Sequence, residues 1–260
     1  MRVNFGFDFG FSSREALMRA IWVFFLLAGF AAGVQAQELE FKARLCQGNT
    51  ADTDLQISAC TWLMETGRLA ESNLAIAYSN RAYAYFGKGQ FDRAIQDYDQ
   101  AIALKPDDAD FYSSRGYAYA MKGQFDRAIH DFDQAIALKP DDASVYSNRG
   151  NAHFEKGQFD RAIHDFDQAI ALKSDKADFY SNRGNAYFWK GQFDRAIQDY
   201  DQAIALRPDD ADFYSSRGAA YAKKGQYDHA IVNFDEAINL NPDHADANKF
   251  RALAIKLKHQ

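Results

Sequence analysis

The sequence is poor in the residues that usually mark chemistry. Among 260 residues there are two cysteines, four prolines, three tryptophans and six histidines. Cys46 and Cys60 stand fourteen apart with no histidine beside them, which excludes a zinc-ligand spacing. C-x-x-C is absent, and with it a dithiol redox motif. No glycine-rich phosphate loop and no G-x-S-x-G elbow occurs, so phosphoryl transfer and serine acyl chemistry lack their loops. The paired aspartates show no EF-hand spacing. Basic residues are not in excess: 30 Lys and Arg face 36 Asp and Glu, a formal net charge of −6. The basic face that nucleic acid requires is therefore missing. These absences imply no catalytic residues, no metal and no cofactor.

Long apolar runs are scarce too. The one at the start, Ala20 to Gly33, follows Arg14 and Arg19 and ends in Val34-Gln35-Ala36. A charged segment, an apolar core and a small-x-small exit read as a secretory signal over 1–36. The core is shorter than the roughly 20 residues that span a bilayer. Cleavage after Ala36 would leave no membrane span and a periplasmic or secreted chain; an uncleaved anchor is the alternative. In an exported chain the even cysteine count favours a Cys46–Cys60 disulfide, with two separately buried thiols as the alternative.

What the sequence has in abundance is repetition. GQFDRAI begins at Gly89, Gly123, Gly157 and Gly191, and GQYDHAI at Gly225, 34 residues apart each time. A period of this length marks a stacked architecture. The units are 75–108, 109–142, 143–176, 177–210 and 211–244. Each has two apolar stretches at helical spacing, such as Tyr78, Ala82 and Tyr85, then Phe91, Ala94, Ile95 and Tyr98. Glycine at position fifteen of the unit stops the first helix. Pro106, Pro140, Pro208 and Pro242 stop the second, and the Asp-Asp after three of them caps the helix that follows. Arginine holds position seven in every unit, and Asp97, Asp131, Asp165 and Asp199 hold position twenty-three, with Asn233 in the fifth. A rung between seven and twenty-three is expected in each hairpin; a solvated, unpaired arginine is the alternative. Residues 37–74 are expected to form an N-terminal capping segment, in which Asp54 to Thr66 resembles the second helix of a degenerate repeat, and 245–260 a C-terminal capping helix.

These residues resemble the tetratricopeptide repeat family. Its pattern of an aromatic at four, Gly or Ala at eight, Tyr at eleven, Ala at twenty, an aromatic at twenty-four, Ala at twenty-seven and Pro at thirty-two appears as Tyr112, Gly116, Tyr119, Ala128, Phe132, Ala135 and Pro140. Ser174 replaces the proline, His153 the tyrosine and Ala82 the glycine. The resemblance implies an all-α, right-handed solenoid of antiparallel helical hairpins whose concave face takes a protein or peptide ligand. Carried over position by position, that face holds Tyr117, Met121, Asn148, Asn151, Phe154, Ser181, Asn182, Asn185, Phe188 and Trp189, and is richest in the fourth unit. Some family members clamp a chaperone's C-terminal carboxylate with Lys, Asn and Arg. Here serine holds position five throughout and neither six nor nine carries a cation, which disfavours that activity. The atypical ends oppose end-to-end stacking and imply a monomer. The expectation is a non-catalytic scaffold; a self-assembling structural protein or an accessory subunit of a separate enzyme are the alternatives.

Overall fold

The computed structural model describes residues 36–48 and 50–259, and all regular structure among them is helical. The secretory-signal reading falls outside the described residues, Ala36 aside. Helix α1 covers 36–46. Then follow α2 (Thr53–Glu65), α3 (Glu71–Gly87), α4 (Phe91–Leu104), α5 (Ala109–Met121), α6 (Phe125–Leu138), α7 (Ala143–Glu155), α8 (Phe159–Leu172), α9 (Ala177–Trp189), α10 (Phe193–Leu206), α11 (Ala211–Lys223), α12 (Tyr227–Leu240) and α13 (Ala245–Lys258). Among the described residues no helix is long and apolar enough to cross a membrane.

The turn inside each hairpin follows from one residue. Gly89, Gly123, Gly157, Gly191 and Gly225 all adopt φ between 69° and 74°, a region that costs a side-chain-bearing residue free energy. In that conformation the Gly89 N–H donates to Phe86 O at 2.8 Å and the Gln90 N–H to Tyr85 O at 2.9 Å, which satisfies two terminal carbonyls of α3. At the junctions between hairpins, the carboxylates of Asp108, Asp142 and Asp210 accept from the N–H groups of Asp110, Ser144 and Asp212.

Within each of the second to fifth hairpins, the first helix presents glycine at position eight to an aromatic ring at twenty-four. A Cβ on Gly150 would lie 2.8 Å from Phe166 Cε1, and one on Gly184 2.9 Å from Tyr200 Cε1. The missing methyl lets the helices approach until Phe132, Phe166 and Phe234 are wholly buried and Tyr200 nearly so. Each such side chain contributes about 1.5–3 kcal/mol of apolar burial. First helices of consecutive hairpins touch one another from α3 to α11, whereas second helices do not. The first helices therefore occupy the inner side of the stack.

The ends continue the register of the repeat. Lys122, Lys156, Lys190 and Lys224 pair with Asp92, Asp126, Asp160 and Asp194 of the preceding hairpin. Lys88 pairs in the same way with Asp54 at 2.6 Å, but across 34 residues instead of 30. The four extra residues are the additional first turn of α3, which has 17 residues where the first helices of units two to five have 13. So α2 is the second helix of a sixth hairpin, α1 is its first, and Cys60 stands where the other hairpins carry their locking aromatic. A disulfide of Cys60 with Cys46 joins the two helices there. At the other end Arg251 pairs with Asp235, and Lys258 with Asp228 at 2.5 Å. Thus α13 is a first helix at the same register as the others, and among the described residues no second helix follows it.

Candidate functional site

The inner face is positioned by a continuous ladder of ions. In the third unit Arg149 donates from Nε to Asp165 Oδ2 at 2.9 Å and from Nη2 to Asp165 Oδ1 at 2.6 Å. Its Nη1 reaches back to Asp133 Oδ1 of the second unit, also at 2.6 Å. Arg115 bridges Asp131 and Asp99, and Arg183 bridges Asp199 and Asp167, in the same way. Arg217 bridges Asn233 and Asp201, and Arg81 bridges Asp97 and the Thr61 hydroxyl. Bidentate geometry suits the planar guanidinium and fixes its orientation. Tyrosines at positions four and eleven flank the same group: Arg183 Cζ lies 5.7 Å from the Tyr180 ring and 6.0 Å from Tyr187. The hydrogen bond to Asp199 outweighs burial and holds the Arg183 pKa above its ordinary value.

The rung from seven to twenty-three thus exists, and its aspartates are buried rather than at an edge. The second rung, to position twenty-five of the preceding unit, escapes a reading made one hairpin at a time. Its signal is the same sixteen-residue spacing: Arg81 to Asp97 within a unit, Asp99 to Arg115 between units.

The ladder holds a row of first helices whose inner positions are unequally exposed. Trp189, Met121 and Tyr117 stand 65%, 52% and 45% exposed. Asn151 is exposed, and Asn148, Asn182, Phe154 and Phe188 are half-buried. Two residues of the expected set differ. Ser181 is buried and offers little surface. Asn185 accepts a 2.8 Å hydrogen bond from the Tyr200 hydroxyl, so part of its polar capacity serves the hairpin's own aromatic. The first unit, which the sequence ranks below the fourth, adds Tyr83, 70% exposed, and Phe86, whose ring centroid lies 5.2 Å from that of Tyr117 across a unit boundary. Both occupy the same positions, nine and twelve, that supplied the other candidates.

The aromatic surface therefore forms two patches: Tyr83, Phe86, Tyr117 and Met121 on units one and two, and Phe188 with Trp189 on unit four, centroids 6.1 Å apart. Asparagine amides lie between them on units three and four. At the N-terminal end a cleft of about 250 Å3 opens beside α3, lined by Leu39, Ala43, Leu63, Ile76 and Asn80 among others. It exists because α1 folds against α3, which the sequence of α1 does not announce. His130 and His164 are exposed, and among the described residues no group of three or more His, Cys, Asp or Glu could hold a metal ion.

A family model described as TPR repeat matches residues 82–123, 121–157, 150–191 and 184–225, and one described as Tetratricopeptide repeat matches 211–244. Among solved structures, a MamA protein is 29% identical over 66% of this chain and 93% of its own, with a TM-score of 0.60. MamA from Desulfovibrio magneticus RS-1 is 20% identical over 68% of this chain and 99% of its own, with a TM-score of 0.63. YrrB, described as a TPR protein with an unusual peptide-binding site, is 24% identical over 75% of this chain and 98% of its own, with a TM-score of 0.62. The last two likenesses are of fold. None of the curated proteins compared with the chain matches it.

Proposed function

The chain belongs to the tetratricopeptide repeat family, and from that premise we propose that it is an exported, non-catalytic scaffold that holds an extended segment of a partner protein along its first helices. The observation that carries this reading is the pair of exposed aromatic patches, Tyr83 with Tyr117 and Phe188 with Trp189, separated by asparagines on one inner face. Exposed aromatics at this density supply apolar contact area with few rotors to immobilise. Asparagine amides both donate to and accept from a peptide backbone. The patches lie on the tighter side of the stack, where one extended chain meets several units at once.

Export is supported by the secretory pattern of residues 1–36 and by the Cys46–Cys60 bond, which suits an oxidising compartment. Closing that short loop is worth about 3 kcal/mol by chain entropy. The sulfur pair joins the two helices of the N-terminal hairpin, which has no locking aromatic.

The test uses the mature chain, with its N-terminus read by sequencing to establish cleavage after Ala36. Affinity capture from the exported fraction is run with wild type, with Asn182→Ala/Trp189→Ala and with Tyr83→Ala/Tyr117→Ala. Asn185 stays intact, because its loss would strand the Tyr200 hydroxyl and blur binding with stability. The reading requires a partner that wild type retains and both variants lose while their melting temperatures hold. Equal capture by all three sinks it.

A further inference from the structure

The five junctions that follow the units are not equivalent, and the difference falls in the middle of the candidate groove. Three carry the same three locks. Pro106, Pro140 and Pro208 restrict the backbone. Asp108, Asp142 and Asp210 each cap the following helix. The same aspartates pair with a cation three residues earlier: Lys105 at 2.8 Å, Lys139 at 3.7 Å and Arg207 at 3.1 Å. The last junction keeps two of the locks, Pro242 and a cap in which His244 Nδ1 accepts from the Ala247 N–H at 3.2 Å.

The junction between units three and four has none. Ser174 stands in the proline's place, and Lys176 is the N-cap residue of α9 with no side-chain hydrogen bond. Lys173 and Lys176 are both cations where the others form a pair, and Lys176 faces the positive end of the helix dipole. The backbone is nonetheless the same: φ and ψ at Lys176 are −105° and 106°, against −99° and 106° at Asp108 and −97° and 108° at Asp210. One shape is held with three constraints elsewhere and without them here.

The contacts of α9 define what such a joint does. Its first turn packs Phe179 on Ala143 and Ala169 of unit three, as Phe111 and Phe213 pack on the units before them, but its ion pair runs forward, since Arg207 donates to both Asp178 oxygens at 2.8 and 3.1 Å. Its middle and far end are tied backward, by Arg183 to Asp167 at 2.6 Å and by Lys190 to Asp160. We propose that Ser174–Lys176 is a hinge, and that the start of α9 swings away from unit three about those rungs. The swing opens the groove between the first turns of α7 and α9 and leaves Asn182, next to the Arg183 rung, and the Phe188–Trp189 end in place. It lets the scaffold admit a segment at its centre without threading it from an end.

The bearing on ligand capture rests on the groove reading above; the hinge itself is measured without a ligand. Amide exchange of the full mature chain is followed at 177–180 and at the equivalent first turns 109–112, 143–146 and 211–214. The hinge requires exchange at 177–180 about tenfold faster than at the other three, the opening expected where caps are lost. Ser174→Pro/Lys176→Asp restores the locks without removing any contact and must bring 177–180 back to the rate of the rest. Uniform exchange in the wild type overturns the proposal. Fast exchange that the double variant leaves unchanged overturns it as well, by showing that the missing locks are not its cause. If the variant slows exchange but capture of the partner is unaffected by the groove substitutions, only the groove reading falls.

Discussion

The arginine of position seven neutralises a different partner from unit to unit. Arg183 faces Asp199, whose carboxylate is 6% exposed, whereas Arg217 faces the neutral amide of Asn233. Removing one partner of a buried pair strands the other charge and costs about 3–5 kcal/mol. Arg183→Ala should therefore lower the urea midpoint far more than Arg217→Ala, which strands only the half-exposed Asp201. Burial raises the Asp199 pKa, against the opposing pull of Arg183. A carboxyl with a raised folded pKa favours the fold below its unfolded pKa and loses that contribution as pH rises through the folded value. Without Arg183 the pKa climbs further, so the Arg183→Ala deficit should shrink between pH 7 and pH 4. Tyr98 supplies the alkaline counterpart. Burial pushes its pKa up to about 12 from 10.0. Its contribution is complete below pH 10 and is lost as pH rises to 12, about 3 kcal/mol for two pKa units. Tyr98→Phe should flatten the denaturation midpoint over that range, and a midpoint that falls equally in both proteins would exclude Tyr98 as the source.

At the scale of the helix pair, the approach of the two helices is set by what position eight omits. Gly184 leaves 2.9 Å between a would-be Cβ and Tyr200, with Asp199 Cβ at 3.3 Å. Gly184→Val would push against both the ring and a carboxylate already fixed by Arg183. Overpacking of this kind costs roughly 1–3 kcal/mol, and circular dichroism melts should show a loss in that range while helix content stays intact. The first unit shows the margin: Ala82 is wholly buried against Ala94 and Tyr98, so one methyl has a local solution and a branched side chain does not. These pairings were legible in the sequence, because glycine, aromatic, arginine and aspartate recur at fixed positions within one unit. Other features were not, because they depend on neighbours. Asn185 reads as free surface until Tyr200 is seen to donate to it, and Ser181 reads as groove until its burial is seen. At the N-terminal end the second helix is legible from its apolar spacing, whereas α1 as its partner is hidden by the added turn of α3 and by a disulfide where the aromatic should be.

For the whole molecule the repeating contacts carry a consequence that no single hairpin has: a unit should be removable. Helices α6 and α8 have the same sequence, FDRAIHDFDQAIAL. Deleting residues 143–176 would present α9 with the same helix surface it now packs on. Arg183 would meet Asp133 in place of Asp167, and Lys190 would meet Asp126 in place of Asp160. Asp142 would replace Lys176 as the N-cap of α9 and Pro140 would replace Ser174, so the shortened array would gain a locked junction. Because each unit touches only its neighbours, the deletion should fold, with helix content per residue unchanged. At about 0.7 kcal/mol per residue its unfolding enthalpy should fall by roughly 24 kcal/mol, measured by calorimetry. A control deletion of 143–172, four residues shorter, joins Leu172's successor to Asp142 out of register and displaces both rungs. If the two deletions melt alike, the ladder does not set the register between units; if only the 34-residue deletion folds cooperatively, the ion ladder and the packing surface share one period, and the array is held together unit by unit through its arginines.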